Sequence, residues 1–158
     1  MSELIEFEDN SIKITAEINA AVLAAMHEAS GIIEAEAKRN TRADSGQTRG
    51  AWNYQISQTK EGLESQIGNP LENAVWEEFG TGEYAIEGNG RQGGWYIPEE
   101  KLSEKAKKHM QKVVGKDGKV YYFTKGKKPQ RTLEKAFTST KREVQTIFNE
   151  ALKEIDES

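Results

Sequence analysis

The sequence predicts an α+β fold in which an antiparallel sheet is covered by two long amphipathic helices. An extended glycine-rich loop and a lysine-rich arm complete it. Apolar residues recur at three- and four-residue steps near both ends of the chain, which is the period of a helix with one buried face. The middle of the chain alternates large apolar with polar residues, as half-buried strands do. Strands flanked by helices in this order are typical of an α+β domain.

The first long helix is predicted from about Ile12 to Arg39. Leu4 to Phe7 alternates apolar with acidic residues, which predicts a short strand before it. The residues from Asn40 to Gly46 are turn and capping types, and they end the helical period. The apolar stripe of the helix consists of Ile14, Ile18, Val22, Ala25, Ala29, Ile32 and Ile33.

Extended segments follow the first helix. Ala51 to Gln58 and Leu63 to Gly68 predict a hairpin, with Trp52, Tyr54 and Ile56 on one face. Trp95 to Ile97 and Val120 to Phe123 are further candidate strands, because aromatic and β-branched residues favour strands. Between them, residues 99–118 predict a polar arm, helical to about Val113 and closed by a turn at Gly115 to Gly118.

The second long helix is predicted from about Thr132 to Ile155. No internal repeat is present, and 158 residues fit a single domain. We therefore expect one domain over residues 1–158. The apolar stripe of this helix consists of Leu133, Ala136, Phe137, Val144, Ile147, Phe148, Ala151, Leu152 and Ile155.

Composition limits the possible chemistry. The chain has no cysteine, which excludes disulfides and thiol nucleophiles and suits a reducing compartment. The acidic N-terminus does not look like a secretion signal, and no apolar run is long enough to span a membrane. The net charge of −4 hides an asymmetry, since Lys101 to Arg131 contains 11 basic residues and two acidic ones.

The most informative segment is Asn73 to Gly82, NAVWEEFGTG, with the glycine-rich loop that continues to Gly94. Its glycines allow a sharp turn, because they tolerate positive φ angles. Phosphate-binding loops lead into a helix N-terminus, whereas these glycines lead to the strand-like residues after Gly94. A flexible hairpin or a loop between subunits is therefore favoured over nucleotide binding.

Catalytic, cofactor-binding and metal-binding residues are not expected. His27 and His109 have no further ligands at metal-site spacing, and Ser45 is best explained as a turn residue. Glu77 and Glu78 would point to opposite faces of an extended strand, so they would not converge as an acid and a base.

The alternative is a nucleic-acid-binding protein that uses the Lys101 to Arg131 segment. Its lysines could neutralise phosphates, and nearby aromatic rings could stack on bases. Lysine is also the general solubilising residue, and arginine is nearly absent from the segment. The aromatic residues concerned are Trp95, Tyr121, Tyr122 and Phe123.

An ordered set of motifs resembles the small tail-completion, or head-to-tail joining, proteins of long-tailed bacteriophages and prophages. The resemblance runs from about residue 40 to the end of the chain. The chain has Asn73 where the family usually has tyrosine, and Arg131, Thr132 and Lys135 where it usually has Pro, Phe and Pro. The motifs are Asp44-Ser45-Gly46 with Arg49, Asn73 to Gly82, Gly88 to Arg91, Tyr121 to Gln130, and Leu133 with Ala136-Phe137.

The resemblance implies a structural virion protein without catalysis, made in the host bacterial cytoplasm and built into the neck of the virion. It also implies a homo-oligomeric ring that contacts neighbouring neck (head-completion) and tail-tube proteins. DNA passing through the lumen of the ring would be a further contact, and no membrane is involved. We expect the assembly contact to use Trp76, Glu78, Phe79, Gly80, Thr81, Gly82, Arg91 and Trp95.

Overall fold

A computed structural model of the chain describes the backbone of residues 2–42 and 46–157, with side chains from residue 19 onward. It is a mixed α+β structure with antiparallel sheets, which confirms the predicted class. The elements are α1 (Ser2–Asn40), α2 (Gly46–Gly50), β1 (Asn53–Thr59), β2 (Gly62–Gly68), α3 (Glu72–Phe79), β3 (Trp95–Pro98), α4 (Glu104–Lys107), β4 (Gln111–Val114), β5 (Val120–Thr124) and α5 (Thr132–Glu157).

The chain divides into two compact units. Met1–Pro70 and Thr132–Ser158 form one, which we call the helical unit. Leu71–Arg131 forms the other, which contains the Asn73 to Gly82 motif and which we call the motif unit. The strands are shared between the units as two separate sheets, and not as the single sheet expected.

The two long helices were predicted correctly and pack against each other in the helical unit. Ala25 and Ala29 of α1 contact Ile147 of α5, and Ala37 and Ala136 are fully buried. Asn40 Nδ2 donates to the Thr132 carbonyl oxygen over 3.4 Å, so the end of α1 lies beside the start of α5 and the helices run antiparallel. Small residues at four-residue steps allow such helices to approach closely.

Three details of the helices differ from the expectation. The predicted strand at Leu4 to Phe7 was wrong, because these residues belong to α1. Phe137 and Leu152 were placed on the buried stripe of α5, but they are 46% and 53% exposed. Thr140, which was not placed on that stripe, is buried instead, and its hydroxyl donates to the Ala136 carbonyl oxygen over 2.7 Å.

The predicted hairpin is confirmed as β1 and β2, with Tyr54 opposite Ile67 and Ile56 opposite Ser65. α1 packs against both strands, and the hydroxyls of Ser30 and Ser65 lie 2.6 Å apart. Trp52 precedes β1 and is buried, and its Nε1 donates to Thr41 Oγ1 over 2.8 Å. Of the turn expected from Asn40 to Gly46, residues 43–45, including Ser45, lie outside the described residues.

The motif unit contains a three-stranded antiparallel sheet with the order β3-β5-β4. The strands predicted at Trp95 and Val120 are confirmed as β3 and β5, and Tyr122 on the central strand is buried. The predicted turn from Gly115 to Gly118 joins β4 to β5. The helical arm was largely wrong, because only α4 and a short 3-10 turn are helical and Gln111–Val114 pairs with β5.

Candidate assembly surface

The motif forms helix α3, although its residues were analysed as an extended segment. Glu72 lies in the first turn, where its negative charge interacts favourably with the positive end of the helix dipole. Gly80 ends the helix at φ 74°, and its N–H donates to the Trp76 carbonyl oxygen over 3.0 Å. Because side chains now project every 100°, Glu77 and Glu78 still point in different directions, and they form no acid and base pair.

α3 has its polarity reversed relative to an ordinary surface helix. Its buried residues are Ala74 and Glu77, whereas Val75, Trp76 and Phe79 are 52%, 43% and 48% exposed. An amphipathic helix normally turns its apolar face toward the core. An apolar face directed to solvent makes α3 a candidate contact surface.

The buried face of α3 is fixed to the segment that follows β5. The carboxylate of Glu77 forms an ion pair with Lys127 Nζ. The carbonyl oxygen of Glu77 accepts from the backbone N–H of Gln130 over 2.6 Å and from that of Arg131 over 3.3 Å. The ion pair and the two backbone hydrogen bonds offset much of the cost of burying Glu77, which allows a glutamate to occupy a position where an apolar residue is usual.

Thr81 and Gly82 continue this attachment as a short ladder against Lys125 to Lys127. The N–H of Thr81 donates to the Lys127 carbonyl oxygen over 2.9 Å, and Thr81 Oγ1 accepts from the N–H of Lys127 over 2.9 Å. The N–H of Glu83 donates to the Lys125 carbonyl oxygen over 2.9 Å, and the two side chains form an ion pair at 3.4 Å.

The ladder requires glycine at position 82. Its φ is +62°, and a Cβ there would lie 2.2 Å from the Lys125 carbonyl oxygen and 2.8 Å from Cζ3 of Trp95. Gly126 on the opposite segment must also be glycine, since a Cβ there would lie 2.0 Å from the Thr81 carbonyl oxygen. Gly82 thus allows two backbones and an aromatic ring to meet at one point.

The glycine-rich loop returns to this ladder. The N–H of Gly93 donates to Glu83 Oε1 over 3.2 Å, and the guanidinium of Arg91 lies 5.5 Å from the centre of the Trp95 ring. A cation at that distance from an aromatic face is attracted to it. Arg91 and Trp95 therefore lie beside Gly82 and support the ladder.

A shallow groove of about 330 Å³ adjoins the exposed face of α3. The N–H of Ile86 donates to the Phe79 carbonyl oxygen over 2.9 Å, which holds the far wall of the groove against the end of the helix. Ile86 is 47% exposed, so it extends the apolar face of α3. The lining residues are Val75, Phe79, Gly80, Ala85, Ile86, Glu87 and Asn89.

The site residues expected from sequence thus divide into two groups. Trp76 and Phe79 are at the outer surface, whereas Gly80, Thr81, Gly82, Arg91 and Trp95 build the support beneath it. Glu78 is half-buried on the flank of α3. The sequence did not predict a role in the site for Glu77, Lys127 or Ile86. For Glu77 a signal exists, because in a helix it lies three residues after Ala74 and so shares its buried face.

Three titratable groups of the motif unit have shifted pKa values. Tyr121 Oη donates to Asp117 Oδ2 over 2.8 Å, which lowers the pKa of Asp117 and raises the pKa of Tyr121. A hydrogen bond to Glu104 raises the pKa of Lys107. In the first pair Asp117 lies in the turn between β4 and β5 and Tyr121 lies on β5, and the second pair lies on α4.

The two histidines lie apart. His27 Nδ1 and Tyr54 Oη are 3.2 Å apart in the helical unit, and His109 is in the motif unit. Among the residues that the structure describes, His, Asp and Glu do not gather in groups of three that could hold a metal ion. Nor does any helix in the described part of the chain have the length and hydropathy needed to cross a membrane.

Several lysines of the basic segment form ion pairs within the motif unit. Lys107 pairs with Glu99 and Glu104, and Lys125 and Lys127 pair with Glu83 and Glu77. Glutamates from residues 72–104 thereby offset part of the positive charge. The unit still has 12 basic residues against nine acidic ones, a formal +3, whereas the helical unit has ten against 17, a formal −7.

Residues 5–80 match a family model described as "Bacteriophage HK97-gp10, putative tail-component". Residues 5–80 carry the signature of a bacteriophage tail-component family. The resemblance to phage tail proteins is thereby confirmed, although the matched range starts earlier than residue 40 and ends at Gly80. The comparisons found no matching curated protein and no matching solved structure.

Within the family match lie α1, the hairpin and α3 up to Gly80. The matched residues therefore include the helix that presents Trp76 and Phe79. The ladder partner at Lys125 to Lys127 lies outside the matched residues.

Proposed function

We propose that the chain is a structural protein of the phage neck that joins head to tail, or completes the tail, by assembling as a ring without catalysis. The observation that carries the proposal is the reversed polarity of α3, which buries Glu77 and exposes Val75, Trp76 and Phe79. The match to a phage tail-component family supports a virion role. The partners would be further copies and the neighbouring neck and tail-tube proteins.

The exposed face offers useful binding energy. Full burial of a large apolar side chain contributes about 1.5–3 kcal/mol, and these side chains are already about half-buried. Covering Val75, Trp76, Phe79 and Ile86 would therefore contribute about 4 kcal/mol from this side of a contact. That is a substantial part of what a stable subunit interface needs after the entropy cost of association.

The support beneath the face suits an assembly contact. Because Glu77, Thr81 and Glu83 are bonded to the segment after β5, the aromatic side chains lie on a fixed backbone. A contact made by preorganised groups loses less conformational entropy on binding. The opposite formal charges of the two units further favour a contact between different surfaces of neighbouring copies.

The test is complementation of a phage that lacks the gene for this chain, with Phe79→Ala as the variant. We expect separate heads and tails in electron micrographs and a loss of infectious particles. Phe137→Ala is the matched control, because Phe137 has nearly the same exposure, 46% against 48%, but lies on α5. Normal joining by the Phe79→Ala variant, or equal loss with both variants, would reject α3 as the surface that joins heads to tails.

A further inference from the structure

Two surfaces of the motif unit are complementary in charge and shape. The first is the groove beside α3, which is lined by Val75, Phe79, Ile86 and the exposed Glu87. The exposed Glu72 lies three residues before Val75 on the same helix. From Leu71 to Gly90 the chain has five glutamates and no lysine or arginine. The groove is therefore apolar with an acidic rim, and it fits an apolar side chain flanked by cations.

The second surface is the tip of the hairpin formed by β4 and β5. Val114 is 64% exposed, the highest value among the exposed large apolar side chains of the described residues. Exposed lysines surround it in sequence, at Lys112, Lys116 and Lys119. An apolar knob with a basic rim is the complement of the groove.

The tip is held in a defined shape. The N–H of Gly115 donates to the Lys119 carbonyl oxygen over 2.9 Å, and the N–H of Gly118 donates to the Gly115 carbonyl oxygen over 3.0 Å. Asp117 accepts hydrogen bonds from Tyr121 Oη and from the N–H of Lys119. The one carboxylate of the tip is therefore engaged within the turn, and the lysines determine its outward charge.

The two surfaces are attached to opposite ends of β5. The groove is attached to the chain after Thr124, through the ladder at Lys125 to Lys127. Val114 pairs with Val120, at the other end of β5. Four residues of strand separate Val120 from Thr124 by about 13 Å. A single copy can therefore offer both surfaces to two different neighbours.

We propose that Val114 of one copy inserts into the groove of the next copy, with lysines of its tip facing Glu72 and Glu87. This deepens the proposed function, on which it rests, by naming the occupant of the assembly surface as a second copy of this chain. Because the two surfaces differ, the contact is heterologous, and repetition closes a ring when the rotation between copies permits it. The charged rims set the register and disfavour other pairings.

Cysteine pairing tests the contact, since the chain has no native cysteine. Ile86→Cys and Val114→Cys are made as separate variants, mixed, and oxidised mildly at high concentration and in complemented particles. A disulfide needs Cβ atoms within about 4.5 Å, so only residues in direct contact are joined. We expect a covalent dimer from the mixture and none from either variant alone.

The matched control replaces Val114→Cys with Leu152→Cys, which is exposed to 53% on α5. We expect at least about tenfold less dimer from that mixture, because proximity raises the effective concentration of thiols strongly. Equal yields in both mixtures, strong pairing of Ile86→Cys with itself, or no dimer in solution and in particles would overturn the proposal.

Charge reversal gives a second, independent readout. Lys112→Glu and Glu87→Lys are each expected to weaken self-association about fivefold, as judged by mass measurement over a concentration series. Their combination should restore it if the two rims meet, and additive weakening would count against the contact.

The outcomes separate this inference from the proposed function. If no cross-linked dimer forms although Phe79→Ala prevents joining, the groove takes another neck or tail protein, and the second copy is rejected. If the dimer forms although Phe79→Ala joins heads to tails normally, the self-contact stands and the neck function is rejected.

Discussion

Replacing Gly82 with alanine tests the ladder that supports α3. The new Cβ would lie 2.2 Å from the Lys125 carbonyl oxygen, and φ at this position is +62°. The positive φ costs a non-glycine residue about 1–2 kcal/mol. Relief of the overlap would displace the ladder, which adds about 1–3 kcal/mol for overpacking or lost hydrogen bonds. We expect Gly82→Ala to lower the free energy of unfolding by about 3–4 kcal/mol.

Gly88→Ala is the matched control for this substitution. Gly88 has φ +68°, yet a Cβ there meets nothing within 4 Å. Its cost is therefore the φ contribution alone, about 1–2 kcal/mol. The difference between the two variants isolates the steric contribution of the ladder.

Urea unfolding followed by tryptophan fluorescence measures both variants, and the ring of Trp95 lies next to Gly82. We expect the midpoint for Gly82→Ala to fall well below that for Gly88→Ala at an unchanged slope. If the two variants lose the same free energy of unfolding to within about 0.5 kcal/mol, the close approach of the two backbones is refuted.

Three further predictions concern single contacts of the motif unit. Lys127→Met should lower the free energy of unfolding, measured by urea titration, by about 2 kcal/mol. The loss is smaller than for a fully buried ion pair because the Lys127 side chain is 42% exposed. Adding Glu77→Gln should recover part of this stability, because it removes the unpaired carboxylate. Arg131→Pro should lower the free energy of unfolding by about 3 kcal/mol or more, because φ is +54° and the backbone N–H donates to the Glu77 carbonyl oxygen. Arg131→Gly should leave the thermal unfolding temperature nearly unchanged, because glycine adopts this φ and keeps the N–H. The Tyr121 hydrogen bond lowers the pKa of Asp117, so its stabilisation is present above the ordinary pKa near 4 and is lost as pH falls through the lowered value. Tyr121→Phe should move the Asp117 pKa upward in an NMR titration, and an unchanged pKa would contradict the hydrogen bond.

The sequence allowed the long helices and the strands to be predicted because each has a strong local signal. Ala25, Ala29 and Ile33 repeat at the helical period, and Tyr54 and Ile56 alternate with polar residues in β1. Assigning Leu4 to Phe7 to a strand failed because four alternating residues are a weak signal beside a long helical period.

Two elements depended on tertiary contacts that local patterns do not contain. β4 lies in a segment rich in lysine and was predicted as helix, but Val113 and Val114 pair with β5. α3 was not predicted because its buried face contains Glu77, whose partner Lys127 is 50 residues away. When the apolar face of a helix contacts another molecule, the sequence shows the same period as for a core-facing helix. One sequence therefore does not reveal whether that face points to the core or to solvent.

The candidate surface lies in the segment that the sequence singled out, but the separate roles of its residues were not distinguishable there. Gly82 and Phe79 are three residues apart, and one supports the surface while the other forms it. The proline expected from the resemblance at position 131 is incompatible with the left-handed backbone found there, since proline fixes φ near −65°.

Tryptophan footprinting by oxidative labelling most directly tests the claim that the outer face of α3 is an assembly contact. The isolated protein and complemented phage particles are labelled in parallel, and oxidation is measured by mass spectrometry at Trp76 and at the buried Trp52. We predict that Trp76, 43% exposed in the free chain, becomes strongly protected in particles while labelling of Trp52 stays low in both. Equal labelling of Trp76 in the free and assembled states would contradict the claim.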